Sequence, residues 1–164
     1  MDIPTLIAQL DFSRQRLLAL LDTIEKGAPN LHEALAWRPA PGRAHIAWQA
    51  MHCAATHDRY LNARLKGGQP KLPQIVESFA GGSTPSDTNV PTLGAIRDAL
   101  NSTYTDFRAY IQGLTLADLQ RKMMFGTTER SIGETITLLA WHEAHHQGQI
   151  HLTWNCYKAT HNLP

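Results

Sequence analysis

Four long helical segments, three of them closed off by proline or glycine, leave this 164-residue chain few architectures. From Thr5 to Ile24, Leu6, Ile7, Leu10, Leu17, Leu18, Leu21 and Ile24 recur at spacings of three, four and seven, and Gly27 and Pro29 follow. That period lines up one apolar face on an α-helix. After the Pro39-Ala-Pro-Gly42 turn, the stretch from Arg43 to Leu65 runs free of both breakers until Gly67-Gly68, which predicts a second helix. Leu93, Ile96, Leu100, Tyr104, Phe107 and Ile111 form a third series, stopped at Gly113. Ser131-Ile-Gly-Glu134 has the spacing of a capping box, in which a hydroxyl and a carboxylate satisfy helix N-terminal amides reciprocally. The fourth helix is expected to start there and to run to about Tyr157, with Gly148 costing it about 1 kcal/mol.

Between the second and third helices, Gln69 to Pro91 holds four prolines, two adjacent glycines and a Ser/Thr/Asp cluster, the composition of a long irregular crossover. A short element spans Leu114 to Phe125, and a small hairpin is expected around Met123 to Arg130. No repeat or low-complexity tract breaks the pattern. The expectation is one all-α domain over residues 1–164, a four-helix bundle, an architecture that builds metal sites from side chains on facing helices.

Charge excludes one class of partner. Fifteen Lys and Arg face fourteen Asp and Glu without a basic run, so the electrostatic footprint of a nucleic-acid binder is missing. The N-terminus lacks a basic n-region and a cleavage site, and no apolar run approaches the ~18 residues that span a bilayer. Cys53 and Cys156 do not form a CxxC pair and fall within expected helices, which reads as reduced thiols. The expected setting is a soluble protein in the cytoplasm.

Chemistry concentrates in the nine histidines. In His142-Glu-Ala-His145-His146-Gln-Gly-Gln149-Ile150, His142 and His146 stand four residues apart, about 40° around a helix and ~6 Å along it. Histidines at that spacing chelate a divalent ion. A catalytic centre of this kind usually has three protein ligands and an open position. The candidate for the third ligand is His52, in His45-Ile-Ala-Trp48-Gln-Ala-Met-His52-Cys-Ala-Ala-Thr-His57-Asp-Arg59-Tyr60, although spacing alone favours a hydrogen-bonded core histidine there. His145 points roughly 100° from His146 and reads as a rim residue. His45, ~10 Å along the helix from His52, suits a helix cap or a pocket entrance. His57 and Asp58 fall on other faces, and His32, His151 and His161 read as solvent-facing or structural.

The residues also resemble a family. Trp37-Arg-Pro-Ala-Pro-Gly-Arg-Ala-His-Ile-Ala-Trp48, His52, Arg59-Tyr60-Leu61, Gly113-Leu-Thr, Leu119, Ser131-Ile-Gly-Glu134 and the Trp141-to-Ile150 run are together similar to the DinB/YfiT-like superfamily of metal-dependent enzymes. The resemblance covers most of the chain and is most specific in the H-x-x-x-H-x-G-Q run of the fourth helix. It implies a bundle of up-down-down-up topology with the long crossover between helices two and three. It also implies one divalent ion held by His52, His142 and His146. Relatives include S-transferases and an isomerase that use mycothiol or bacillithiol, so a low-molecular-weight thiol and a small-molecule substrate are implied too, and pairing as a homodimer. The DNA-damage origin of the family name implies no DNA-binding role here.

Four further residues are candidates for the pocket or for support of the ligands. Trp48 lies one turn before His52 and Arg59 two turns after it, where a guanidinium could hold a substrate carboxylate. Gln149 could hydrogen-bond a ligating imidazole and fix its tautomer. Glu143 completes a literal H-E-x-x-H, in which the glutamate activates metal-bound water; otherwise it is a solvated helix residue. The metalloprotease reading stands against the sequence, because Gly148 and His151 each come one residue too early for the metzincin extension. Cys53 points about 100° away from His52, and Cys156 lies more than two turns past His146, so neither reads as a ligand or nucleophile. Three imidazoles with an open position suit Zn or Ni, with Fe, Co or Mn behind them. The function expected is therefore that of a metal-dependent transferase or hydrolase. Its rival is a non-catalytic dimeric bundle that binds a metal or ligand in regulation or stress response.

Overall fold

A computed structural model describes residues 2–164. The chain is mostly helical, with one two-stranded sheet. Helix α1 spans Ile3–Gly27, α2 Leu31–Ala36, α3 Ile46–Asp58, α4 Pro73–Phe79, α5 Leu93–Gln112, α6 Leu116–Gln120 and α7 Ile132–Thr160. Strands β1 (Lys122–Phe125) and β2 (Thr128–Ser131) pair antiparallel, Lys122 opposite Ser131 and Phe125 opposite Thr128, around a turn whose Gly126 sits at φ 69°.

Capping explains where the elements start. Asp2 accepts from the Thr5 amide, Thr92 from Ala95 and Thr115 from Asp118, each satisfying an N–H the helix cannot pair internally. The capping box at Ser131 and Glu134 is formed in both directions, so α7 begins where its sequence signal lies. The second amphipathic segment is interrupted: α3 ends at Asp58, and Arg59–Leu65 continues as a π-helical stretch. Asp58 explains the join. Its carboxylate accepts from Asn62 and from the Lys71 and Leu72 amides, holding the chain where it leaves the helix. The Gln69–Pro91 crossover is not wholly irregular, since it contains α4.

The four long helices pack on one another, α1 against α7 and α5, and α3 against α5 and α7; α4 lies on α3. Their apolar faces form two clusters. One gathers Leu17, Leu21 and Ile24 of α1, Ile46, Ala50 and Ala54 of α3, Ile96 and Leu100 of α5, and Ile150 and Trp154 of α7. The other joins Leu6 and Leu10 to Phe107, Ile111, Ile132, Ile136 and Leu139.

Between the two clusters runs a buried polar link. Arg14 of α1, 3% exposed, donates from Nε to Glu143 Oε1 of α7 at 2.5 Å and from Nη2 to Oε2 at 3.0 Å. Nη1 donates to the Leu100 carbonyl of α5, Nη2 also faces His57 Nδ1 of α3 at 3.4 Å, and the guanidinium lies over the Tyr104 ring. One guanidinium thus touches all the other three long helices.

Candidate metal centre

Two elements bring the three histidines together. On α7, His142 and His146 share a face, with ring centroids 4.5 Å apart. Helix α3 packs against that face and presents His52, whose ring lies 4.9 Å from His142 and 4.7 Å from His146. One nitrogen from each of the three imidazoles falls within a 4.8 Å span, and His52 Nε2 stands 3.1 Å from His142 Nε2. These three residues could hold a metal ion.

The surroundings fit that role. His52 is 6% exposed and donates from Nδ1 to the Phe79 carbonyl at 2.6 Å, which leaves Nε2 as the lone-pair nitrogen facing the other two rings. A backbone carbonyl on the far nitrogen is the usual device for orienting a ligating histidine. Trp48 stacks on the same ring, centroids 4.8 Å apart and planes within 7°. Burial, then the neighbouring His52, pushes His142 down to about 3; burial, then His142, pushes His146 down to about 3. Burial also lowers His52. The neutral imidazole is the form that donates to a metal. Among the described residues, the Nδ1 atoms of His142 and His146 are buried without a hydrogen-bond partner, and an unmet polar atom of this kind costs about 1–3 kcal/mol.

His45 and the crossover frame the site. His45 caps α3, accepting the Trp48 amide on Nδ1 and donating from Nε2 to the Ser86 carbonyl at 3.1 Å. Phe79 closes α4, and Gly81 follows beside His52, where an added Cβ would lie 3.9 Å from the imidazole Cε1. The crossover therefore supplies backbone to the site, a contribution without a side-chain signature in the sequence.

The other candidates divide. Trp48 belongs to the cluster's wall. Gln149 donates to His145 Nε2 at 2.9 Å, and its amide also lies against His146, whose pKa it raises. His145 sits outside the cluster, stacked on Trp141 at the surface. Arg59 lies elsewhere: two turns carry it to the hairpin end, where it lines a groove with Tyr60, Arg64, Phe125 and Gly126 that none of the three histidines borders. Glu143 is neither solvated nor part of the cluster. It is fully buried, and both its oxygens are engaged by Arg14. One residue past His142 means a rotation of roughly 100°, which aims Glu143 at α1. His57, 3.5 Å from Glu143, joins this link, and burial, then Arg14, pushes it well below the ordinary histidine range. Arg14 is the residue sequence reasoning passed over, although its place between Leu10 and Leu17 put a charge on the buried face. Both cysteines are free, and burial raises the Cys53 thiol well above its ordinary value, so it is inert as a nucleophile.

No described helix is long and apolar enough to cross a membrane. Among solved structures, the chain is similar to a conserved protein from Enterococcus faecalis, at 17% identity and a TM-score of 0.74 over 93% of this chain and 95% of that one, a likeness of fold. No curated protein sequence matches it. The sequence pattern of the DinB superfamily matches residues 9–150, a span that takes in His52, His142, His146 and the Arg14–Glu143 pair, and the chain belongs to that superfamily.

Proposed function

We propose that this protein is a divalent-metal-dependent enzyme acting on a small molecule, by thiol-dependent S-transfer or by hydrolysis, with His52, His142 and His146 as the metal's ligands. The carrying observation is the cluster itself: three neutral imidazoles converging within 4.8 Å, one of them oriented by the Phe79 carbonyl. In this reading the long helices form a four-helix bundle of up-down-down-up topology, with the crossover between the second and third. Zn or Ni suits three imidazoles best. A bound ion supplies Lewis acidity, which lowers the pKa of a water or thiol presented to it.

The chain's own residues do the rest. Phe79 holds the His52 ring and Trp48 covers its face, keeping bulk water off that side. The buried pair with Arg14 counts against Glu143 as a general base, and so against a zincin-like protease. Pairing of two copies belongs to the same proposal; exposed Phe12 and Trp141, flanking one shallow groove between α1 and α7, support it. The two free thiols suit a reducing compartment such as the cytoplasm.

Elemental analysis of untagged protein tests the reading, with His52→Ala and His146→Ala beside the wild type. About one metal per chain, lost in both variants, is the expected result and licenses a screen of thiols with electrophiles. Absence of metal after reconstitution with Zn and with Ni would overturn it.

A further inference from the structure

We propose that the groove between the 39–44 loop, the start of α3 and the second half of α7 binds a small carboxylate that also carries an amide. This deepens the enzyme reading by naming its substrate class, and rests on that reading for what the ligand does, not for its binding. The groove holds about 370 Å³, the small end of the range for ligand sites. It shares a wall with the histidine cluster, because Trp48 lines it and stacks on His52, and Gln149, three residues past His146, forms its other side.

Two side-chain atoms of residues that line that wall lack partners among the described residues. Trp48 Nε1 is a donor and Gln49 Oε1 an acceptor; both are shut off from solvent and neither makes a hydrogen bond. Gln49 is only 5% exposed, and its Nε2 donates to the Ala44 carbonyl at 3.4 Å, which fixes the oxygen as the unmet end. Buried polar atoms are nearly always paired, so two on adjacent residues of one groove call for a ligand with a complementary acceptor and donor. A secondary amide has both.

The charge comes from Arg43. Its guanidinium, exposed at the groove's lip, makes no ion pair or hydrogen bond among the described residues, whereas nearby Arg38 is committed to Asp87 and to the Arg43 and Pro85 carbonyls. An unpaired guanidinium takes a carboxylate through two parallel hydrogen bonds. Arg43, Gln149 and Leu152 line the groove with exposed side chains, which change rotamer within nanoseconds, and in this proposal they turn aside to admit the ligand to both atoms.

The test is an NMR titration of ¹⁵N-labelled protein with N-acetylglycine, run on both chelator-treated and zinc-loaded samples. Propionate and N-methylacetamide serve as single-group controls. Of four tryptophan indole signals, Trp48→Phe identifies the one that reports on the groove. Saturable movement of the Trp48 indole is expected in both samples, with a Kd of about 1–10 mM for so small a ligand. Each control should bind at least about tenfold more weakly, and Arg43→Gln should weaken N-acetylglycine by a similar factor without moving the ligand-free Trp48 signal. A Trp48 indole that stays still, or propionate binding as well as N-acetylglycine, overturns the inference. Zinc uptake is read separately: a silent groove with zinc bound sinks this inference alone, and a responsive groove without zinc uptake sinks the metalloenzyme reading alone.

Discussion

Glu143→Gln discriminates sharply between a structural and a catalytic use of the residue that follows His142. The substitution keeps the shape of the side chain and removes its charge, leaving the Arg14 guanidinium, 3% exposed, with only neutral partners: the Leu100 carbonyl, His57 Nδ1 and the Tyr104 ring. Breaking a buried pair from one side costs about 3–5 kcal/mol, because the surviving charge remains desolvated and uncompensated. Marginal domains hold about 5–15 kcal/mol in all, so the variant should lose a large share of its stability. Urea unfolding followed by far-UV circular dichroism measures this, with an unchanged slope showing that the unfolded state is unaltered. Replacing both partners, Arg14→Met with Glu143→Met, removes the stranded charge and should recover most of the loss, since buried pairs often exchange for apolar side chains at little cost. If Glu143→Gln loses less than about 1 kcal/mol while abolishing turnover, the reasoning fails and the carboxylate is a proton carrier. If the double variant is as unstable as the single one, the pair is not the unit argued here.

Three further outcomes follow from the same geometry. Gly148→Ala should stabilise α7 by about 1 kcal/mol, since an added Cβ there meets nothing within 4 Å, whereas Gly27→Ala should destabilise because its Cβ would stand 3.1 Å from the Trp154 ring; thermal melts of the two variants compare them. The metal-free protein should keep full stability above pH 6.5 and lose it as pH falls toward 3, because His57, His142 and His146 stay neutral when folded but take up protons when unfolded. The loss should be largest for fully buried His57 and smaller for the two partly exposed cluster histidines, read by urea midpoints between pH 5 and 7.5. Zinc at a hundredfold excess over its Kd should add about 2.7 kcal/mol, and a chelator should remove it; an identical melt with and without zinc contradicts the site.

What could be read from the sequence divides along physical lines. The start of α7 and the end of α5 were legible, because caps and breakers act within a turn: the Ser131–Glu134 box and the Gly113 stop have local causes, whereas the end of α3 at Asp58 was not, since the carboxylate there is engaged by the Lys71 and Leu72 amides. Helix α4 was not, since two prolines and a glycine pair around Pro73–Phe79 outweigh a short apolar run whose stability comes from packing on α3. Within the candidate site, the i, i+4 spacing of His142 and His146 was visible. The partner of His52 was not, because the Phe79 carbonyl is backbone and any residue there would offer it.

The H-E-x-x-H string shows how far a local pattern carries. The string fixes that His142 and His146 share a face and that Glu143 stands about 100° from it. It does not fix what packs on each face. In this chain α3 covers the histidine face and supplies His52, while α1 covers the glutamate face and supplies Arg14, with His57 reaching in from α3. A glutamate facing a metal-bound water would need that second face open to the ion; here a guanidinium occupies it at hydrogen-bond distance. What engages the Glu143 carboxylate was therefore set by Arg14, 129 residues away in the chain, and its trace in the sequence is an arginine among the leucines of α1.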